Sequence, residues 1–173
     1  MVEGLLRHHL ADRGALVDVT SAGVRASEPA VDPHAVRAIA TFGPDLAAHG
    51  PRQLTRDIIE RDGADLVIAM TRDHLRNVVA LDRRAWPRTF TLRELVRRAS
   101  ADGDPSAPDL RSWAEALGSS RVAREMMTSD PADDIDDPHG LAYSRYTDTA
   151  QELDAQVRVL VALAPWPTSG PLP

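Results

Sequence analysis

The densest group of chemically capable side chains in the 173-residue sequence is Asp133-Asp134-Ile135-Asp136-Asp137-Pro138-His139-Gly140. Four carboxylates this close can supply hard oxygen ligands to a divalent cation, although the run lacks the spaced ligands and turn glycine of a calcium loop. Taken alone, the run reads first as a solvated acidic loop ahead of a helix. His8-His9 is a second candidate metal pair, but adjacent residues on a helix point in different directions, which favours a surface pair. His49 is a site candidate that reads equally well as a loop or capping histidine. Trp86 and Trp113 could line a groove; at 4% aromatic content they read better as core residues. The sequence has no cysteine, which excludes a thiolate nucleophile, a disulfide and a thiolate zinc site among these residues. No Gly-x-Ser-x-Gly elbow replaces the thiolate, and with no lysine there is no Gly-x-x-x-x-Gly-Lys phosphate loop.

The elements that would carry these residues follow from pattern and punctuation. Val2, Leu5, Leu6 and Leu10 predict a first helix to about Arg13, closed by Gly14 as a left-handed cap. Residues 15–24 alternate well enough for a short strand. Asp32-Pro33 opens a helix that Gly43-Pro44 breaks, and Thr55 caps a short helix over 56–61. The apolar run Asp65–Met70 suits a buried parallel strand, and Thr71 caps a helix over 72–81. Residues 88–92 favour a strand leading into a helix over 93–99, and a further helix passes through Trp113. Residues 118–140 read as mostly irregular. Leu153, Val157, Leu160, Val161 and Ala164 form one apolar stripe on a last helix, followed by an exposed proline-rich tail over 165–173. Strands alternating with helices predict an α/β domain with a parallel sheet flanked by helices on both faces. Its ligands would gather at the carboxyl ends of the strands.

Composition narrows the class. With 43% hydrophobic and 27% charged residues, the chain reads as one globular domain with no internal repeat. A net charge of −6 argues against bulk binding to nucleic acid or anionic lipid. No apolar run approaches the ~20 residues of a membrane span, and the first ten residues do not form a secretory signal. The expected setting is a reducing cytoplasm. All 20 basic residues are arginine, which points to coding bias more than to twenty anion sites.

Four patches, taken in order, resemble the low-molecular-weight protein tyrosine phosphatases. Met1-Val2-Glu3-Gly4-Leu5-Leu6 resembles the start of the family's first helix, and Thr20-Ser21-Ala22-Gly23 the end of its second strand. Asp65–Leu75 resembles its third strand and following helix, and Asp136-Asp137-Pro138-His139-Gly140 its general-acid loop. His49 with Arg52-Gln53-Leu54, and Thr89-Phe90-Thr91-Leu92, add weaker support. The match spans roughly residues 1–164, with 100–131 the least similar part.

The resemblance implies a three-layer α/β fold and hydrolysis of a phosphotyrosine protein or small aryl phosphate through a cysteinyl-phosphate, without metal or organic cofactor. It assigns the general acid to Asp137. That role suits an aspartate crowded by Asp133, Asp134 and Asp136, which would hold its proton more readily. The family's first strand and its Cys-x5-Arg loop have no counterpart here. That strand lies between the second and third strands of the family's sheet, so the expectation is a domain over 1–164 incomplete at its N-terminus. Met1 would then be an internal methionine of a longer protein, and the chain as written would be inactive. Two alternatives stay open: a relative of the arsenate reductases, and a non-catalytic binding protein derived from a phosphatase.

Overall fold

The computed structural model describes residues 1–25, 30–61, 63–122, 124 and 131–168. These form two compact units. The first comprises Met1–Leu54, Asp137–Ala162 and Trp166–Pro173, and the second Thr55–Asp136 with Leu163–Pro165.

In the first unit, helix α1 (Val2–Asp12) buries Leu5, Leu6, His9 and Leu10 on one face. Its end is closed by Gly14, whose N–H donates to Ala11 O at 2.9 Å. Helix α2 (Pro33–Ala40) starts where Asp32-Pro33 predicts, with the Asp32 carboxylate accepting the His34 N–H at 2.8 Å. The last helix, here α7 (Tyr143–Leu163), buries Tyr146, Ala150, Leu153, Val157, Leu160 and Val161. The stripe expected there is present.

Residues 15–24 do not form the expected strand. From Ala15 to Thr20 the side chains still alternate between half-buried and exposed, as in a pleated strand. A strand also needs a neighbour to complete its ladder. Among the described residues this segment makes only isolated bridges, Ala15 with Thr168 and Gly23 with Gln53. Leu16 N–H also donates to Pro167 O at 2.8 Å, so the expected tail touches this segment at Pro167–Thr168, where both residues remain exposed. Residues 169–173 of that tail lie outside the described residues.

In the second unit, strands β1 (Val67–Ala69) and β2 (Thr89–Thr91) pair in parallel, with Ile68 opposite Phe90. Helices α4 (Arg72–Leu81) and α5 (Leu92–Asp102) both contact this small sheet. Thr71 caps α4 as expected, accepting the His74 N–H at 3.2 Å. Thr91 ends β2 and caps α5, accepting the Glu94 N–H at 3.3 Å. The unit also holds α3 (Arg56–Arg61), a 3₁₀ turn over Arg83–Arg88, and α6 (Leu110–Gly118), on which Trp113 is 1% exposed. Trp113 is therefore core, as its composition argument predicts.

The interior of this unit also holds an ionic network beside its apolar core. Glu94 is fully buried, with its carboxylate 3.1 Å from Arg72 Nη1, 3.0 Å from Arg98 Nε and 3.7 Å from Arg121 Nη1. Arg72 also reaches Asp133 at 2.6 Å, and Arg97 approaches the same carboxylate at 3.0 Å. The Arg121 guanidinium lies between the rings of Trp86 and Phe90, 4.0 Å from each centroid, and donates to Thr89 O at 2.7 Å. Removing the central carboxylate takes the shared counter-charge from three arginines and leaves buried positive charge under-compensated. Glu94→Ala is expected to lower stability by about 3–5 kcal/mol in denaturant unfolding. A loss below about 1 kcal/mol would mean that the arginines are hydrated or paired in another way.

Candidate active site

The acidic run is divided among separate tasks. Asp133 is 4% exposed and belongs to the arginine network. Burial pushes its pKa up, but hydrogen bonds from Arg97 and Arg72 outweigh this and hold it below the usual carboxylate range. Asp134 accepts the Arg72 N–H at 2.7 Å, satisfying a free donor in the first turn of α4. Ile135 donates its N–H to Met70 O at 2.9 Å, immediately after β1, and Arg93 binds Asp134 O at 2.6 Å. Residues 132–135 are thus anchored at the carboxyl end of β1, where ligands gather in parallel sheets. Asp133 is thus paired with arginines and Asp134 is engaged at a helix start, so neither is the freely solvated loop carboxylate that the run suggests when taken alone.

Asp137, the assigned general acid, is exposed, and its Oδ1 accepts the His139 N–H at 3.0 Å. This is the local turn an aspartate forms with the backbone two residues ahead. Pro138 is buried, and its carbonyl accepts the Leu141 N–H at 3.0 Å. Gly140 has φ +74°, a conformation that disfavours any side chain. Its N–H donates to Tyr146 Oη at 3.2 Å, and that hydroxyl donates to Asp32 Oδ2 at 2.7 Å. The His139 imidazole lies 3.6 Å from the same Asp32 oxygen. The His34 ring packs edge-on against Tyr146, with centroids 5.2 Å apart. The turn bearing Asp137 is therefore tied to α2 and α7 by one hydroxyl bridge.

Sequence reasoning did not identify Tyr146, Asp32 or His34 as parts of this arrangement. The available signals were slight: two tyrosines in the chain, both at the start of α7, and Asp32 already engaged as a cap. The Tyr146 hydroxyl and the His34 N–H depress the Asp32 pKa, and the hydrogen bond to Asp32 raises that of Tyr146.

A second set of matched residues meets at the start of α1. The Glu3 carboxylate accepts the Ser21 hydroxyl at 2.5 Å and pairs with Arg7 at 2.9 Å, with His49 Nδ1 at 3.7 Å. Arg52 Nε donates to Ser21 O at 2.7 Å. His49 thus faces Glu3 and borders an open pocket of about 440 Å³ that Glu3, Arg7, His8 and Asp45 also line. The Trp86 ring stacks against the Arg121 guanidinium, 4.0 Å from its centroid. His9 is no surface residue: its Nε2 lies 2.7 Å from Asp154 Oδ1 in a buried contact. Among the described residues, no helix is long and apolar enough to cross a membrane.

Known proteins agree with this frame. The family model for low molecular weight phosphotyrosine protein phosphatase matches residues 1–117. A protein-arginine-phosphatase of Bacillus subtilis is 36% identical over 104 residues, covering 59% of this chain and 67% of that protein. The crystal structure of a YwlE mutant from Bacillus subtilis superposes with TM-score 0.65 at 27% identity, covering 93% of this chain and 86% of that one. A low molecular weight protein tyrosine phosphatase from T. tengcongensis shares the fold, with TM-score 0.66 at 24% identity over 93% of this chain and 87% of its own. The chain belongs to the low molecular weight phosphotyrosine protein phosphatase family.

The Tyr146 bridge makes a measurable claim. Tyr146→Phe is expected to move the Asp32 pKa back toward the ordinary carboxylate value in an NMR titration, and to speed amide exchange at Gly140. An unmoved Asp32 would show that the hydroxyl is not its main partner. The depressed pKa values also fix a sign. Asp32 and Asp133 contribute stability that is present above the unfolded carboxylate pKa of about 3.9 and lost as pH falls through their lower folded values.

Proposed function

We propose that this protein contributes the frame and general acid of a phosphatase reaction, with Asp137 as the group that protonates the leaving atom. One observation carries the reading: the turn holding Asp137 is fixed by Tyr146 and Asp32 while its carboxyl group stays exposed. In the reaction, a thiolate attacks phosphorus and the P–O bond to the leaving group breaks. Asp137 delivers its proton to that oxygen. The carboxylate so formed then takes a proton from the water that attacks the cysteinyl-phosphate, which releases phosphate and regenerates the thiolate.

None of the 173 residues is a cysteine, so these residues alone are expected to give no turnover. A general acid contributes roughly 10² to 10⁴ in rate, far less than phosphate-monoester hydrolysis requires. The proposed setting is the cytoplasm, where a thiolate enzyme stays reduced.

The name of the B. subtilis relative favours a second substrate reading, phosphoarginine in proteins. The same acid would then protonate a guanidine nitrogen instead of a phenolate oxygen.

The test uses two proteins: the 173-residue chain, and the same chain preceded by an apolar strand and a Cys-x5-Arg loop. The first should leave p-nitrophenyl phosphate intact and the second should hydrolyse it. Asp137→Asn in the second should lower kcat on a phosphotyrosine peptide by about 10² to 10⁴. Full activity of that variant would remove Asp137 from the role, and turnover by the bare chain would refute the need for a thiol. Phosphotyrosine and phosphoarginine peptides assayed side by side decide the substrate class.

A further inference from the structure

The second half of α1 carries a group of residues that the phosphatase reading does not use. One ligand-capable atom from each of His8, His9 and Asp12 lies within 4.8 Å of the others. The spacing explains the convergence. His8 and Asp12 are one turn apart and His9 and Asp12 three residues apart, so the carboxylate sits between two imidazoles whose directions alone would diverge. The His8 and His9 ring centroids are 5.2 Å apart, and His8 Nε2 is 3.8 Å from Asp12 Oδ2.

Both imidazoles are held from outside the group. His9, 9% exposed, has its Nε2 fixed by Asp154 Oδ1 at 2.7 Å, and Arg158 Nε holds the other oxygen of that carboxylate at 2.7 Å. A proton on Nε2, donated to Asp154, leaves Nδ1 as the lone-pair nitrogen of His9. His8 lies where residue 43 would carry a side chain: a Cβ on Gly43 would sit 2.7 Å from both Cε1 and Nε2 of the ring. Gly43 has φ +108°, so its backbone also disfavours any other residue. The histidine nearest the solvent is thereby seated against backbone.

We propose that His8, His9 and Asp12 form a binding site for a divalent transition-metal ion of the zinc or nickel type, with Asp154 as the outer carboxylate that orients His9. Imidazole suits these borderline ions, and a carboxylate hydrogen-bonded to a ligating histidine is the usual support that fixes its tautomer and strengthens it as a ligand. Three protein ligands leave the remaining coordination positions to water.

Calorimetric titration of the purified chain with Zn²⁺ tests this. One ion per chain is expected, with Co²⁺ giving a visible d–d spectrum in its place. His8→Ala and Asp12→Asn alter side chains that are 38% and 68% exposed, so the fold should tolerate both. Each should weaken binding by more than about tenfold. Asp154→Asn should weaken it by roughly 10–100-fold, as loss of an outer carboxylate does. His74→Ala, an exposed change elsewhere, should leave affinity unchanged. Absence of saturable Zn²⁺ binding, or binding that survives both His8→Ala and Asp12→Asn, would overturn the proposal.

Discussion

A carboxylate with no exposed surface organises one half of this protein. Glu94 sits three residues past the end of β2, and Arg72, one of its ion-pair partners, three residues past the end of β1. A buried charge is costly unless every partner is in place, so this pair dictates how both strands hand the chain to their helices. Arg72 passes the constraint to Asp133, and Arg121 passes it to the 3₁₀ turn through Trp86 and to β2 through Thr89 and Phe90. The result is an ionic scaffold beside the carboxyl end of a parallel sheet, the place where such folds put their ligands.

The acidic run is fastened in two separate pieces. Residues 132–135 are fastened by Met70, Arg72 and Arg93, and two residues later Asp137 enters a turn fastened by Tyr146 and Asp32. The anchoring residues are themselves engaged: Asp134 caps α4, Asp32 caps α2 and Tyr146 is buried. Asp137 accepts a local bond from the His139 N–H and keeps its side chain exposed, an arrangement suited to proton transfer.

Local signals were legible in the sequence. Asp32-Pro33 and Thr71 marked helix starts because an N-cap acts within three residues. The stripe ending at Ala164 marked α7 because helical periodicity is also local, and the order of four short patches sufficed to indicate the family. What depends on distant partners was not legible. Residues 15–24 keep the alternation of a strand, but alternation specifies a pleat and says nothing about a neighbour. His9 read as a surface residue because its partner, Asp154, lies 145 positions away. Asp133 and Asp134 looked like free charges in an acidic loop because the groups that engage them belong to α4 and α5.

The central claim is that Asp137 protonates the leaving group, and leaving-group dependence tests it most directly. In the chain bearing a Cys-x5-Arg loop ahead of Met1, kcat for a series of aryl phosphates should change little with the pKa of the departing phenol. In the Asp137→Asn protein it should fall steeply as that pKa rises, because the phenolate must then leave unprotonated. Equal slopes in the two proteins would contradict the account and move the acid to another residue.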